Sequence, residues 1–356
     1  MSVRSLDDMS DPVIETFPLG LHWPTIDPFL FCAHHLDEYP AGTADLAPAA
    51  SLEGRNLGQD FDEQRDWRMY HGQVVPGFPS HPHRGFETVT YVRQGIVDHA
   101  DSMGAAARFG RGDVQWITTG GGVVHSEMFP LLDRDGGNTL EIFQIWLNLP
   151  SSDKLVEPHF AMFWAPDVPR LTTTDDQGRT ATVTVIAGAL EGCTPPQPPP
   201  HSWASRDDSD VALWHVVLEP GASWTMPPAA EGSHRVVYAF EGDGLTITDP
   251  DGEPTEIGGS TGAHVRAQRP LTLTASAGHA EVMVMQGRPI AEPVAQYGPF
   301  VMNNRAQIQQ AFDDYQRTQF GGWPWDTHDP THGPTTGRFA VHADGRREEG
   351  PVAAEV

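Results

Sequence analysis

The chain has 356 residues, of which 38% are hydrophobic and 20% are charged. This composition excludes a largely disordered protein, and the length allows about two domains. The 48 acidic and 22 basic residues give a formal net charge of −26, and such a field repels nucleic acids and anionic membrane surfaces. No run of residues approaches the ~18 apolar positions of a membrane span, and no signal-peptide pattern is present, so we expect a cytoplasmic protein that binds neither nucleic acid nor membrane.

Two residue counts narrow the chemistry further. Lys154 is the only lysine, and no glycine-rich loop or apolar run surrounds it, which excludes P-loop phosphate binding and Schiff-base catalysis. Cys32 and Cys193 are the only cysteines, too few for a disulfide framework and spaced unlike any zinc motif. A reducing compartment is therefore expected.

Short β-rich segments follow one another along most of the chain, with glycine-containing turns and no helical pattern between them. Residues 40–66 read as a surface insertion without periodicity. Strands are predicted over residues 88–92, 114–118, 140–149 and 180–186, and, after a proline-rich stretch at 195–200, over 212–218, 235–240, 245–248, 271–274 and 282–285. Strand following strand at this spacing indicates an antiparallel sandwich or barrel.

The two strand-rich blocks resemble a degenerate repeat. The segment Tyr-Val-Arg-Gln-Gly at 91–95 is similar to Tyr-Ala-Phe-Glu-Gly at 238–242. Two related β domains are therefore predicted.

One helix is predicted after the second block. Asn304 and Gln307 form a plausible capping pair, and apolar residues recur at positions 308, 311, 312 and 315, which is one face of a helix. A glycine pair at 321–322 ends the pattern. The tail at 323–356 is expected to wrap the surface or to be partly disordered.

The segment His-Pro-His-Arg-Gly-Phe-Glu carries the most chemistry. Alternate residues of an extended strand share a face, so we expect His81, His83 and Glu87 on one side of one strand. His125 and Glu127 have the same spacing further along the chain. Two such strands in one barrel would direct imidazoles and carboxylates inward, a donor set that suits iron, nickel, copper, manganese or zinc.

Five motifs in the same order resemble the pirin family of the cupin superfamily. They are His-Pro-His-Arg-Gly-Phe-Glu-Thr-Val at 81–89, Gly-Asp-Val-Gln-Trp at 112–116, His-Ser-Glu at 125–127, Asn-Leu-Pro-Ser-Ser-Asp-Lys at 148–154 and Gly-Pro-Phe-Val-Met-Asn at 298–303. The resemblance implies an all-β bicupin, with two tandem jelly-roll β-barrels and a short C-terminal helix. The expected division is a metal-binding domain at 1–170, a metal-free domain at 171–300, and a helix with a polar tail at 301–356.

The resemblance also implies the metal site and its activity. The implied ligands are His81, His83, His125 and Glu127, around one divalent transition metal, with Fe(II) expected and Ni, Cu, Mn or Zn as alternatives. The implied activity is that of quercetin 2,3-dioxygenase, with a small aromatic substrate, O2 and Glu127 as general base. Cupins in general use a carboxylate at position 87, so Glu87 is an alternative ligand, or else an acceptor that orients an imidazole.

The repeat itself predicts that the second barrel lacks a matching site. Aligning its two tyrosines places Pro228 and Ala230 opposite His81 and His83. Neither residue can ligate a metal through its side chain.

A function without catalysis is the main alternative. Pirins are also regarded as metal-dependent, redox-sensing regulatory proteins that bind protein partners. A cupin isomerase or a binder of small acids is a third possibility.

Several other patterns have a structural interpretation. His99, Asp101 and Ser102 are expected in a polar hairpin turn. Residues 258–262 match the Gly-x-Ser-x-Gly elbow, but no buried strand precedes them and no helix follows, so a turn is predicted. His279 begins a second His-x-Glu pair that has no His-x-His partner.

Overall fold

The computed structural model describes residues 11–351, which form 25 strands, one α-helix and two short 3₁₀ helices. This all-β architecture with a short C-terminal helix confirms the predicted class. The elements are β1 (Val13–Pro18), β2 (His22–Trp23), β3 (Phe29–Tyr39), β4 (Gly77–His83), β5 (Phe86–Gln94), β6 (Ile96–Asp101), β7 (Ala106–Gly110), β8 (Val114–Thr118), β9 (Val123–Met128), β10 (Asn138–Asn148), β11 (His159–Phe163), β12 (Arg170–Thr174), β13 (Thr180–Ala187), a 3₁₀ helix (Trp203–Ser205), β14 (Ala212–Leu218), β15 (Ser223–Met226), β16 (His234–Gly242), β17 (Leu245–Thr248), β18 (Thr255–Ile257), β19 (Thr261–Val265), β20 (Leu271–Ala275), β21 (Ala280–Gly287), β22 (Ala295–Tyr297), β23 (Phe300–Met302), α1 (Arg305–Thr318), a 3₁₀ helix (Gln319–Gly321), β24 (Phe339–Val341) and β25 (Arg347–Glu349).

The described residues form two compact units, and each is discontinuous in sequence. The first, here called the amino-terminal barrel, contains Ala33–Pro166, Pro199–Ser202 and the chain from Glu292 onward. The second, the carboxy-terminal barrel, contains the chain up to Cys32 together with Asp167–Pro198 and Trp203–Ala291. This grouping differs from the sequential division at 170 and 300, because β1 pairs with β19 while β24 pairs with β7.

The amino-terminal barrel is a jelly roll of two antiparallel layers. One layer has the strand order β11-β8-β5-β10-β3, and the other has the order β25-β24-β7-β6-β9-β4. The tail thus contributes β24 and the edge strand β25 to this barrel. Residues 40–76 contain no strand. Within this segment, Arg55 and Asp60 form a buried ion pair.

The carboxy-terminal barrel repeats this strand order. Its layers are β1-β19-β16-β21-β14-β13-β12 and β15-β20-β17-β18, so β8-β5-β10 corresponds to β19-β16-β21. Tyr91 lies on β5 and Tyr238 on β16, the matching central strands. The predicted repeat is therefore confirmed.

The interior of the carboxy-terminal barrel is largely apolar, apart from the buried Arg235, which donates a hydrogen bond to the side chain of Gln286. On β15 and β20, the counterparts of β4 and β9, Trp224, Met226, Leu271 and Leu273 belong to one buried core. The alignment of the two tyrosines implied that Pro228 and Ala230 lie on β15, the counterpart of β4. In the structure they lie in the loop that follows β15. That this barrel holds no metal stays a prediction, which the apolar filling supports.

Each of the nine predicted strands overlaps an observed strand, and the predicted helix is present. Asn304 is its N-cap and accepts a hydrogen bond from Gln307 N, while the Gln307 side chain accepts one from Asn303 N. The helix ends at Thr318, ahead of the glycine pair, because Gln319 adopts a left-handed conformation. In the part of the chain described here, no helix has the length and apolar character needed to cross a membrane.

Candidate metal centre

Three histidines converge inside the amino-terminal barrel. His81 and His83 lie on β4, and His125 lies opposite His81 on the neighbouring β9. The ring centroids are separated by 4.5 Å (His81 to His125), 4.8 Å (His81 to His83) and 4.9 Å (His83 to His125). One nitrogen from each ring lies within 4.8 Å of the other two. The structure therefore brings together the three histidines named from the sequence.

Backbone carbonyls orient two of these rings. His81 Nδ1 lies 2.9 Å from the Pro79 carbonyl oxygen, and His83 Nδ1 lies 3.4 Å from that of Pro299. Since a carbonyl oxygen only accepts, Nδ1 carries the proton in each ring and Nε2 keeps its lone pair. Both nitrogens of His125 are buried without a hydrogen-bond partner among the described residues. Such orphaned nitrogens are costly unless they bind something, so this donor set fits a divalent transition metal ion.

Burial keeps the three imidazoles neutral. Removal from solvent lowers the pKa of His81 to about 4, and it lowers the pKa values of His83 and His125 well below the ordinary range. Neighbouring imidazoles act in the same direction at His83 and His125. Because a metal binds only unprotonated imidazole, the three candidate ligands are in the required state at neutral pH.

Glu127 lies near these histidines but is engaged elsewhere. It follows His125 by two residues on β9, so it also faces the interior, yet its carboxylate is not part of the convergent group. Its oxygens accept hydrogen bonds from Thr90 on β5 at 3.2 Å and from Gln144 on β10 at 2.6 Å. Burial raises the pKa of Glu127, which these hydrogen bonds partly counteract. Its role as fourth ligand therefore stays a prediction.

Glu87 does not share a strand or a face with the histidines, contrary to expectation. β4 ends at His83, and the chain crosses to the other layer before β5 begins. Thr90 on β5 reaches Glu127, so even-numbered positions of β5 face the interior and Glu87 faces away. Its carboxylate accepts hydrogen bonds from Trp116 and Thr118, as well as from the Ser202 hydroxyl at 2.6 Å. The alternative assignment of Glu87 as a ligand is therefore wrong.

The crossing between β4 and β5 depends on a left-handed glycine and a buried lysine. Gly85 has a φ of 86°, which a residue with a side chain rarely adopts. The Lys154 Nζ donates to the carbonyls of Gly85 and Val301 and to the side chain of Asn148. The only lysine of the chain thus holds the turn that follows His83.

Aromatic side chains border His83. The Phe86 ring lies 5.2 Å from the His83 ring, and the half-buried Trp146 lies 5.4 Å from it and 4.2 Å from Phe86. Trp146 and Gln144 alternate along β10 and so share its inward face. We did not predict Gln144 and Trp146 as site residues, although their i, i+2 spacing in Gln-Ile-Trp indicates that they share one face of a strand.

His99 and Asp101 are buried in β6 rather than exposed in a polar turn, so that prediction was wrong. His99 lies opposite Glu127 in the sheet, and its ring is 5.6 Å from the His125 ring. His99 Nε2 lies 3.1 Å from the Asp101 carboxylate. Ser102 does lie at the turn, where its hydroxyl accepts from Val124 N. Inside the amino-terminal barrel, His99 is a fourth imidazole beside the three candidate ligands.

The remaining candidate motifs form no second site of this kind. Residues 258–260 link β18 to β19 as a turn, as predicted. Glu241, His279 and Glu281 also come close enough to hold a cation, on the carboxy-terminal barrel. There, however, Glu281 lies 2.8 Å from His215, and two of the three residues are exposed.

Two family models match this chain in succession. The model described as "Pirin" matches residues 22–147, and the model described as "Pirin C-terminal cupin domain" matches residues 213–321. The first contains the histidine motifs, and the second contains the repeat around Tyr238.

Two relatives that match more than two thirds of this chain, and one solved structure, agree with these family matches. A Pseudomonas aeruginosa protein named "Putative quercetin 2,3-dioxygenase PA2418" is 33% identical over 302 residues, which is 85% of this chain and 88% of that protein. Pirin-1 of Arabidopsis thaliana is 36% identical over 260 residues, covering 69% of this chain and 78% of its own length. The crystal structure of quercetin 2,3-dioxygenase from Acinetobacter baumannii superposes with a TM-score of 0.66 at 27% identity, over 87% of this chain and 98% of that one.

Proposed function

The chain belongs to the pirin family, and on this premise we propose that it is a metal-dependent dioxygenase of the quercetin 2,3-dioxygenase type. Its substrate would be a flavonol or a related enolisable aromatic compound that reacts with O2. The observation that carries the proposal is the trio of neutral histidines, with His83 and His125 buried and His81 half-buried. Within residues 11–351, the nitrogens of His125 have no hydrogen-bond partner. A cytoplasmic location belongs to the same proposal.

One divalent transition metal, Fe(II) by expectation and otherwise Ni, Cu, Mn or Zn, would be held by His81, His83, His125 and Glu127. When bound, it would supply Lewis acidity and open coordination positions for an oxygen donor. Glu127 would have to leave Thr90 and Gln144 to join the ligand set. Its side chain starts on the same face of β9 as His125, so rotation about its own bonds would turn it toward that ring.

Glu127 is also the group best placed to accept a proton. Its carboxyl is buried, and burial raises its pKa toward the operating range of a general base. In the proposed reaction it takes the proton of the flavonol hydroxyl. The resulting enolate provides both electrons for O2, so no external reductant is needed. Thr90 and Gln144 hold the carboxylate in place whenever it is not coordinated to the metal.

The aromatic wall beside His83 suits a flat substrate. The half-buried Trp146 presents ring surface beside the His83 imidazole, and aromatic rings pack well against such surfaces. The fully buried Phe86 supports Trp146, with its ring 4.2 Å away. Apolar walls would also keep water away from the reacting enolate.

The test is O2 uptake by metal-loaded protein with quercetin. We expect Glu127→Gln to lose turnover by at least ~10²-fold, the usual contribution of a general base, while keeping its metal. Single alanine variants of the three histidines should lose the metal. Glu87→Gln is the matched control, because its carboxylate faces away from the site, and it should retain both metal and turnover.

The regulatory alternative predicts a different result. If metal-loaded protein consumes no O2 with any flavonol, and its affinity for a protein partner changes with the oxidation state of the metal, the dioxygenase proposal fails. If turnover survives in Glu127→Gln, Glu127 is not the proton acceptor, but the proposed oxygenase activity is not contradicted.

A further inference from the structure

Three residues on adjacent strands line up across the outer face of the carboxy-terminal barrel. Glu15 on β1 pairs with His264 on β19, and His264 in turn lies opposite Val236 on β16. His234 is two residues before Val236, so it is the diagonal neighbour of His264 on the same face. The adjacent positions Ala263 and Val265 point into the apolar core, which confirms that His264 points outward.

The two imidazoles approach each other through ring nitrogens. His234 Nδ1 lies 3.3 Å from His264 Nε2, and the ring planes are inclined by 42°. Two nitrogens bound at ~2.05 Å to one tetrahedral zinc ion lie about 3.3–3.4 Å apart. The observed separation is therefore the one that a shared metal ion requires.

A carboxylate lies on the other side of one ring. Glu15 Oε1 is 4.0 Å from His264 Nδ1, the nitrogen that does not face His234. This distance is too long for a hydrogen bond, but the exposed Glu15 side chain can rotate closer to Nδ1. A carboxylate hydrogen-bonded there would keep the proton on the outer nitrogen and direct the lone pair of the inner one toward a metal. Solvent also reaches His264 and Glu15, whose side chains are 14% and 64% exposed.

From this arrangement we infer that His234 and His264 form a second, exchangeable binding site for a divalent transition metal such as Zn²⁺, with Glu15 as the carboxylate that orients His264. Water completes the coordination, because the pair offers only two protein nitrogens. The site is weaker than a site with three or four protein ligands and fills after the histidine cluster of the amino-terminal barrel. The inference does not depend on the proposed dioxygenase activity.

The experiment counts zinc in protein whose amino-terminal site is already loaded. After equilibrium dialysis against Zn²⁺, we expect one additional zinc per wild-type chain, and none in His234→Ala or His264→Ala. Glu15→Gln should retain the additional ion with an affinity lower by about tenfold. His22→Ala, which removes an exposed histidine of the same barrel, is the matched control and should bind like the wild type.

Imidazole NMR gives a readout that does not depend on counting ions. Zinc should shift the Nδ1 resonance of His234 and the Nε2 resonance of His264 and leave His22 unchanged. Absence of an additional zinc in the wild type would overturn the inference and identify the contact as a histidine–histidine hydrogen bond. A second zinc that survives both alanine variants but disappears in His279→Ala would also overturn it and place the ion at Glu241, His279 and Glu281.

Discussion

Gln144 donates its side-chain N–H to Glu127 at 2.6 Å across the interior of the amino-terminal barrel. The donor lies on β10 in one layer and the acceptor on β9 in the other. The contact therefore ties the two layers together beside the three histidines. It also determines where the Glu127 carboxylate rests when it is not a ligand.

Removal of this donor should affect catalysis more than metal binding. In Gln144→Leu the volume is conserved, but Glu127 keeps only the hydrogen bond from Thr90. We expect flavonol oxidation to fall by roughly tenfold in kcat/KM, as for a loss of about 1.4 kcal/mol of transition-state stabilisation, with the metal content unchanged. Gln94→Leu, an exposed change in the same barrel, is the control. A loss of metal that parallels the loss of rate would show that Gln144 serves the ligand set instead.

The depressed pKa of His81 predicts how stability depends on pH in the metal-free protein. The folded-state pKa is about 4, below the ordinary value of 6.5. Below pH 6.5 the unfolded chain therefore takes up a proton that the folded chain does not, and the free energy of unfolding falls as the pH decreases toward 4. At pH 5 we expect this residue alone to cost about 2 kcal/mol relative to pH 7.5. Urea unfolding measures the free energy of unfolding at both pH values, and the loss between pH 7.5 and pH 5 should be smaller in His81→Gln than in the wild type by that amount. Equal losses in the two proteins would contradict the lowered pKa of His81.

The same pKa values predict strong retention of metal in mild acid. His81, His83 and His125 all remain neutral well below pH 6.5, so protons compete poorly for the site. Dialysis at pH 5.5 should leave the metal content unchanged.

Stripping the metal with a chelator at pH 7.5 should lower the melting temperature, because a ligand that binds only the folded state stabilises it. An unchanged melting temperature would argue against a site formed by folding.

Arg108 and Asp98 form a buried pair that secures the carboxy-terminal tail. The guanidinium of Arg108 donates twice to Asp98, at 2.6 and 2.7 Å, and once each to the carbonyls of Gly333 and Thr336. Arg108→Met would leave the Asp98 charge buried and unpaired, and we expect a loss of about 3–5 kcal/mol in the free energy of unfolding. The double variant with Asp98→Leu should recover a large part of this loss.

An exposed ion pair serves as the control for this comparison. Arg347 and Glu349 are 49% and 71% exposed, so Arg347→Met should change stability by less than about 1 kcal/mol. Equal effects of the two arginine variants would mean that burial of Arg108 does not matter.

Lys154→Met should weaken both stability and metal binding. The change leaves the oxygens of Gly85, Val301 and Asn148 without their buried donor, at a cost of about 2–4 kcal/mol. Gly85 follows His83 by two residues, so a displaced turn should also lower metal affinity. Lys154→Arg should not restore either property, because a planar guanidinium cannot replace three donors on one small ammonium group. Thermal unfolding and metal titration of both variants test this.

Local regularities made much of the fold predictable. Period-two alternation and turn residues located the nine predicted strands, and apolar spacing with an N-cap located α1. Motif order identified the family, and the His-x-His segment with His125 identified three residues that the structure brings together. Each of these features depends on spacing within short segments or on the order of those segments along the chain, and the sequence displays both directly.

The tertiary structure decided the relationships that cross from one strand to another. Alternation predicts which residues share a face only while a strand continues, and the strand ends at His83, which puts Glu87 on the opposite side of the neighbouring layer. The sequence predicted His99 in a polar turn, but in the structure it is buried on β6 beside His125. The partners of Glu127 come from β5 and β10, 37 and 17 residues away in sequence. Such contacts depend on how the layers of a barrel close around its interior, and spacing along the chain does not contain that information.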